Sequence, residues 1–154
     1  PVLKSSRFIV CNSDNIYSVK AIKTLKLELT YNSMIAYNSK CLDFSEEKIS
    51  SFSILDIKNK FLYKIIEKPT ISHIRNITEE KFVSMNIFSF FGDQVYGYLS
   101  NCEVNQDRGE KEIATAIQNM INDRNESIKV FKICEHVPDL TYKNDIDLIN
   151  NFLK

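Results

Sequence analysis

The chain has 154 residues, 44% of them hydrophobic and 11% aromatic, and its 20 basic residues balance 20 acidic ones. Zero formal charge argues against the broad positive surface that nucleic acid or anionic lipid requires, and the apolar content argues against an unfolded chain. No apolar run approaches the roughly 18 residues of a membrane span and no signal-peptide pattern is present, so one cytoplasmic domain over residues 1–154 is expected, with no nucleic acid and no membrane as partner.

The apolar run Phe8-Ile9-Val10-Cys11 predicts a strand buried on both faces, closed by the polar group Asn12-Ser13-Asp14-Asn15. Ser18 is placed to cap a helix whose Val19, Ile22, Leu25 and Leu29 recur at spacings of three and four, which predicts that this stripe faces inward. Met34 to Tyr37 reads as a second strand, and Glu46-Glu47-Lys48 as a polar turn or short helix. The runs 52–57 and 61–66, parted by Lys58-Asn59-Lys60, predict a β-hairpin that ends at Pro69. Residues 70–80 read as a loop or short helix. Phe82 to Phe91 predicts one long strand, closed by Gly92, and Val95, Tyr96 and Leu99 a short helix after it. Residues 101–109 form a polar loop. A helix is predicted over 110–122, with Ile113, Ala116, Ile117, Met120 and Ile121 on one stripe and Glu110 and Glu112 in its first turn. A strand at 128–133 and a helix at 143–153, with Ile146, Ile149 and Phe152 or Leu153 inward, complete the chain. The alternation implies an α/β or α+β domain with a mixed sheet, and the expected arrangement is α/β with a mixed, mostly parallel sheet flanked by helices.

Two scarcities narrow the chemistry. Three glycines supply neither GxGxxG nor GxxxxGK[ST], and two histidines cannot build a histidine-rich zinc site. Cys11, Cys41, Cys102 and Cys134 contain no CxxC pair, and in a cytosolic setting they are expected as reduced structural thiols. Asp14 follows a buried-type strand and precedes a helix, where a carboxylate can hold a metal or a hydroxyl, or can simply form a turn. Glu67-Lys68-Pro69 also follows a strand. There a lysine can meet a phosphate as a point charge, or lie as part of an exposed charged pair. Asp139 again follows a strand and precedes a helix, as a ligand or as a cap. His136 lies near it, either lining a site or packed.

Taken in order, FIVCNSDNIYS, YKIIEKP, FVSMNIFSFFGDQVYGYL, GEKEIATAIQNMI and HVPDLTYKNDI resemble the sugar-phosphate nucleotidyltransferase family, the pyrophosphorylases that make nucleotide sugars. That family carries a strand ending in a motif like (L/V)NGDN, a strand ending in EKP, an xxNxxxF strand, a GExELTDAI-like helix and a late WxDxGTxxDL-like segment. Ser13 and Ser53 stand where small residues, often glycine, are common, and Val137 lies near the place of the tryptophan. The family's Gly-rich signature, similar to GxGTRxxPxTxxxPK, has no counterpart, so the chain resembles the C-terminal portion of such a protein, with a partial Rossmann-like nucleotidyltransferase fold.

The resemblance implies an enzyme whose substrates are a sugar 1-phosphate and a nucleoside triphosphate, with Mg²⁺ as cofactor. Asp14 and Asp139 would hold the metal, Glu67 would accept from sugar hydroxyls, Lys68 would pair with the sugar phosphate, and Asn86 would line the sugar pocket. Lys68 and Asp14 carry the catalytic expectation. Carboxylates, Mg²⁺ and lysine suffice for a phosphoryl-centre displacement that needs no covalent nucleophile. A separate N-terminal fragment or an oligomer partner would supply the triphosphate cradle, and the isolated chain is expected to be inactive. The alternative is a non-catalytic regulatory or binding subunit on the same fold.

Overall fold

The computed structural model describes residues 3, 5–106, 109–123, 127–141 and 145–152. The chain begins β1 (Arg7–Cys11), α1 (Val19–Leu27), β2 (Asn32–Asn38), a 3-10 turn (Ser39–Cys41) and α2 (Glu46–Ser50). The hairpin β3 (Ser53–Lys58) and β4 (Phe61–Ile66) follows, then α3 (Ile71–Asn76), β5 (Phe82–Ser84), β6 (Ile87–Phe91) and α4 (Gly92–Asn101). The short pair β7 (Val104–Asn105) and β8 (Glu110–Lys111) precedes α5 (Ile113–Asn122), β9 (Ile128–Ile133) and α6 (Asp145–Phe152).

Alternation along the strands builds two cores, one on each face of the sheet. Met34 and Ala36 of β2 join Phe88 and Phe90 of β6 beneath Ile117 and Met120 of α5. Ile35 and Tyr37 point the other way, toward Ala21 and Leu25 of α1, Ile49 of α2 and Ile74 of α3. Each fully buried apolar side chain of this size contributes about 1.5–3 kcal/mol. β1 follows the same rule more loosely: Phe8 and Val10 pack on the first core and Ile9 on the second, all half-buried.

Within the sheet β2 is central. β9 pairs with it in parallel, from Asn32↔Ile128 to Tyr37↔Ile133. On its other side lie β6 and β5, both antiparallel. β1 then pairs with β6 and β3 with β5. Asn59 and Lys60, both at positive φ, turn the β3–β4 hairpin, the conformation that matches strand twist in two-residue turns. The hairpin tip reaches β9 through the Val130 N–H bond to the Lys60 carbonyl at 2.8 Å.

Several expectations are corrected. The sheet is mixed but not mostly parallel: among the described residues β2–β9 is the parallel pairing, because β5 and β6 run antiparallel between the strands they join. The strand over 82–91 is broken at Met85-Asn86, where Asn86 has φ 54°. Residues 110–112 do not begin the helix. Glu110 and Lys111 pair with β7, and Glu112 is the N-cap position of α5. Ser18 caps α1 as expected, accepting from the Ala21 N–H at 3.0 Å, and Leu25 faces the core as expected, but it is joined there by Ala21, while Val19, Ile22 and, beyond the helix, Leu29 are 67%, 43% and 73% exposed. Ile146 of α6 is also exposed; Lys143 and Leu153 lie outside the described residues, as does the Phe152 side chain.

The cysteine expectation changes too. Cys41, at the end of the 3-10 turn, and Cys134, just after β9, form a disulfide across 93 positions, whereas Cys11 and Cys102 are free. The parallel register of β2 and β9 brings their carboxyl ends together and so makes the bond reachable. Among the described residues no helix is long and apolar enough to cross a membrane.

Candidate active site

Three strand exits converge. β4 ends at Ile66, and Glu67 and Lys68 follow before Pro69 stops any continuation. The Ser53 hydroxyl, on the buried start of β3, donates to Glu67 Oε1 at 2.8 Å and orients that carboxylate. Lys68 takes the left-handed conformation, φ 42°. Asn86 takes it as well, and its N–H donates to the Ser84 hydroxyl at 3.1 Å, which turns it out of the β5–β6 line. Non-glycine residues in this region cost on the order of 1 kcal/mol or more and concentrate at functional sites. Beyond the hairpin turn, the two such residues in the described chain, Lys68 and Asn86, line one cleft.

That cleft holds about 440 Å³. Glu67, Lys68 and Asn86 share it with Asn12, from the exit of β1, and with the Glu110–Glu112 segment. The volume lies within the roughly 300–1,000 Å³ of small-molecule sites. Lysine, glutamate and asparagine together can hold a ligand that bears both a phosphate and hydroxyl groups.

Asp14 and Asp139 meet beside it. The Leu140 N–H donates to the Asp14 carbonyl at 2.7 Å and the Ile16 N–H to the Pro138 carbonyl at 3.0 Å, a small antiparallel bridge centred on Asn15 and Asp139. The backbone therefore sets positions 14 and 139 side by side. Their side chains differ. Asp14 is exposed, whereas the Asp139 carboxylate is 6% exposed and engaged: Asn15 Nδ2 donates to Oδ1 at 3.1 Å, and Lys48 and the Thr141 hydroxyl reach Oδ2. Among the described residues no three His, Cys, Asp or Glu side chains cluster as a metal site. The oxygen donors Asp14 and Asp139 suit Mg²⁺ chemically, since that ion takes one or two carboxylates and completes its shell with phosphate and water.

Tyr17 stitches the two regions. Its hydroxyl donates to the Met85 carbonyl at 2.6 Å, beside Asn86, with Asn15 Oδ1 at 3.2 Å, and accepts from the Asn12 N–H at 3.2 Å. Burial, then the nearby charges of Cys11, Asp14 and Asp139, raise the phenol above its ordinary value, against the Asn12 bond. Tyr37, also buried, shifts the same way. An unfolded tyrosine ionises near pH 10, so this contribution to stability is complete below about 10 and is lost as pH rises through the higher folded value. Urea midpoints should hold from about pH 8 to 10 and fall as the pH rises beyond about 10. Tyr17→Phe should lower the midpoint at neutral pH, by about 1–3 kcal/mol for the groups left unpaired, and make the alkaline decline shallower. An equally steep decline in the variant would place the titration elsewhere.

Asn12, Asn15, Tyr17 and Lys48 escaped the sequence reading. Asn12 and Asn15 lie in the polar group after the first strand and could have been found there. Lys48 could not: the Asp139 carboxylate and the Thr141 hydroxyl that its ammonium meets stand more than 90 positions away, Thr141 at 93. His136 does not line the cleft. Its Nδ1 accepts from the Asp43 N–H at 3.0 Å and its ring packs on Phe44.

No family model and no curated protein matches the chain. Solved structures do. A putative glucose-1-phosphate thymidylyltransferase from Bacillus anthracis, in complex with sucrose, is 17% identical, with a TM-score of 0.66 over 98% of this chain and 56% of its own. An apo UDP-glucose pyrophosphorylase is 14% identical, with a TM-score of 0.69 over 99% and 56%. The inositol-1-phosphate CTP transferase from T. maritima is 15% identical, with a TM-score of 0.58 over 90% and 51%. The chain thus spans about half the length of these proteins, and over that half it has the fold of the sugar-phosphate nucleotidyltransferases.

Proposed function

We propose that this chain is the sugar-phosphate and metal side of a sugar-1-phosphate nucleotidyltransferase. The observation that carries the reading is the convergence of Glu67, Lys68 and Asn86 on one cleft, together with the Asn15–Asp139 bridge that sets Asp14 beside the Asp139 segment. In the reaction an oxygen of the sugar 1-phosphate attacks the α-phosphorus of a nucleoside triphosphate, and pyrophosphate leaves. Lys68 pairs with the sugar phosphate and holds the attacking oxygen in place. Glu67, fixed by Ser53, accepts from sugar hydroxyls. Asn86 adds a donor and an acceptor to the same wall. Asp14 and Asp139 would hold Mg²⁺, which neutralises charge on the reacting phosphates when bound. No Gly-rich triphosphate loop occurs in these 154 residues, and a separate N-terminal fragment or an oligomer partner would supply the nucleotide side.

The test is binding. Glucose 1-phosphate, titrated into the purified chain by calorimetry, should bind more tightly than glucose or inorganic phosphate alone, and Glu67→Gln should weaken it. Nucleoside triphosphate with sugar phosphate should release no pyrophosphate from a preparation of verified intact mass. Failure of any sugar phosphate tried to bind, or turnover by the chain alone at ordinary enzyme rates, would overturn the assignment.

A further inference from the structure

The Lys48 ammonium occupies a built seat. It pairs with Asp139 Oδ2, donates to the Thr141 hydroxyl at 3.2 Å, and stands 5.9 and 5.7 Å from the ring centres of Phe44 and Phe52. Its backbone is anchored in the first turn of α2, where the Ser45 hydroxyl accepts the Lys48 N–H at 3.3 Å. Asp139 is equally committed. Asn15 takes one carboxylate oxygen, and Lys48 and Thr141 take the other, in a place that is 6% exposed. A carboxylate so buried needs a counter-charge, and here a lysine from a distant helix provides it. Asp14, one backbone bridge away, remains exposed to solvent.

We propose that Lys48 is the resident cation of the Asp139 carboxylate, a positioning residue that any divalent metal must displace, so that metal uptake and release of Lys48 are one event. One oxygen cannot serve an ammonium and a metal ion at full strength, and two cations that close repel. In the metal-free chain Lys48 pairs with Asp139, and Asn15 holds the β1 exit against the 138–140 segment through the other carboxylate oxygen. This inference rests on the same site as the transfer reading, but its test reads metal uptake without turnover, so either can fail while the other stands.

The probe is Mn²⁺, which accepts the same oxygen donors and loses its free-ion paramagnetic resonance signal on binding. Lys48→Met should bind Mn²⁺ about tenfold more tightly than the wild type, because the competing charge is gone. Lys48→Gln, which keeps a polar stem, should gain similarly and serves if the methionine variant folds poorly. Lys48→Arg should stay near the wild-type affinity, since it keeps the charge. Adding Asp139→Asn to Lys48→Met should abolish the gain. Without metal, Lys48→Met should melt below the wild type, and Mn²⁺ should raise its midpoint more than that of the wild type. Equal affinity in wild type and both neutral variants, a gain that survives Asp139→Asn, or no Mn²⁺ uptake by any of these chains would each overturn the proposal.

Discussion

Lys68→Ala should lower kcat/KM for the sugar 1-phosphate by about 10- to 150-fold in any assembly that turns over, while affinity for the nucleoside triphosphate stays unchanged. The figure follows from removing one charge-assisted contact to phosphate, roughly 1.5–3 kcal/mol. The structure makes the substitution a clean one. Lys68 lines the cleft, and among the described residues it forms no ion pair whose loss would disturb the fold. Alanine tolerates φ 42° about as poorly as lysine, so backbone strain is nearly the same before and after. Glu67 keeps its bond to Ser53 and still orients the sugar side. Steady-state kinetics with each substrate varied in turn make the measurement. An unchanged efficiency would leave Lys68 an ordinary surface charge beside a strand end.

Removing the Cys41–Cys134 disulfide should cost about 2–4 kcal/mol of stability, the largest single loss expected outside the core. The bond closes 93 positions of chain, and a cross-link over so long a loop restricts the unfolded state most. It also acts at the site. It joins the 3-10 turn after β2 to the exit of β9, and the two segments that leave those points carry Lys48 and Asp139. Urea unfolding of the double variant Cys41→Ser, Cys134→Ser should show a lower midpoint, and reducing agent should shift the wild type to meet it. Cys102→Ser should not reproduce the effect, since that thiol is outside the bridge. Coincident wild-type curves with and without reductant would mean that the bond does not form in solution.

The elements were legible wherever one face or both faces of a short run had to be apolar. β2, β4 and β9 lie where their Ile, Val, Phe and Tyr content puts them, and Ser18 caps α1 because a serine before an apolar-periodic run satisfies an otherwise orphaned N–H. Errors arose where a local pattern met a tertiary demand. Asn86 lies in a mostly apolar run that also holds Ser84 and Ser89, and one more polar residue there does not reveal that the backbone turns left-handed into a cleft. Of the α1 stripe Leu25 is buried as expected, but Val19, Ile22 and Leu29 are exposed, because the helix turns the small Ala21, four positions before Leu25, to the core instead.

By itself the sequence determined the alternation of strands and helices, the polar exits after three strands, and the absence of a Gly-rich phosphate loop from these residues. It also carried Asp14, Glu67, Lys68, Asn86 and Asp139 as candidates, through motifs in a given order. Only the tertiary structure decided that Glu67, Lys68 and Asn86 share one cleft, that Asn15 bridges Asp139, and that Lys48 holds Asp139 from the short helix α2. The same holds for the disulfide and for the antiparallel run of β5 and β6. Backbone periodicity is set by neighbours within a few positions, so it can be read along the chain. Charge pairing, cross-linking and cleft formation join residues tens of positions apart, and their partners are chosen only when the strands take their register.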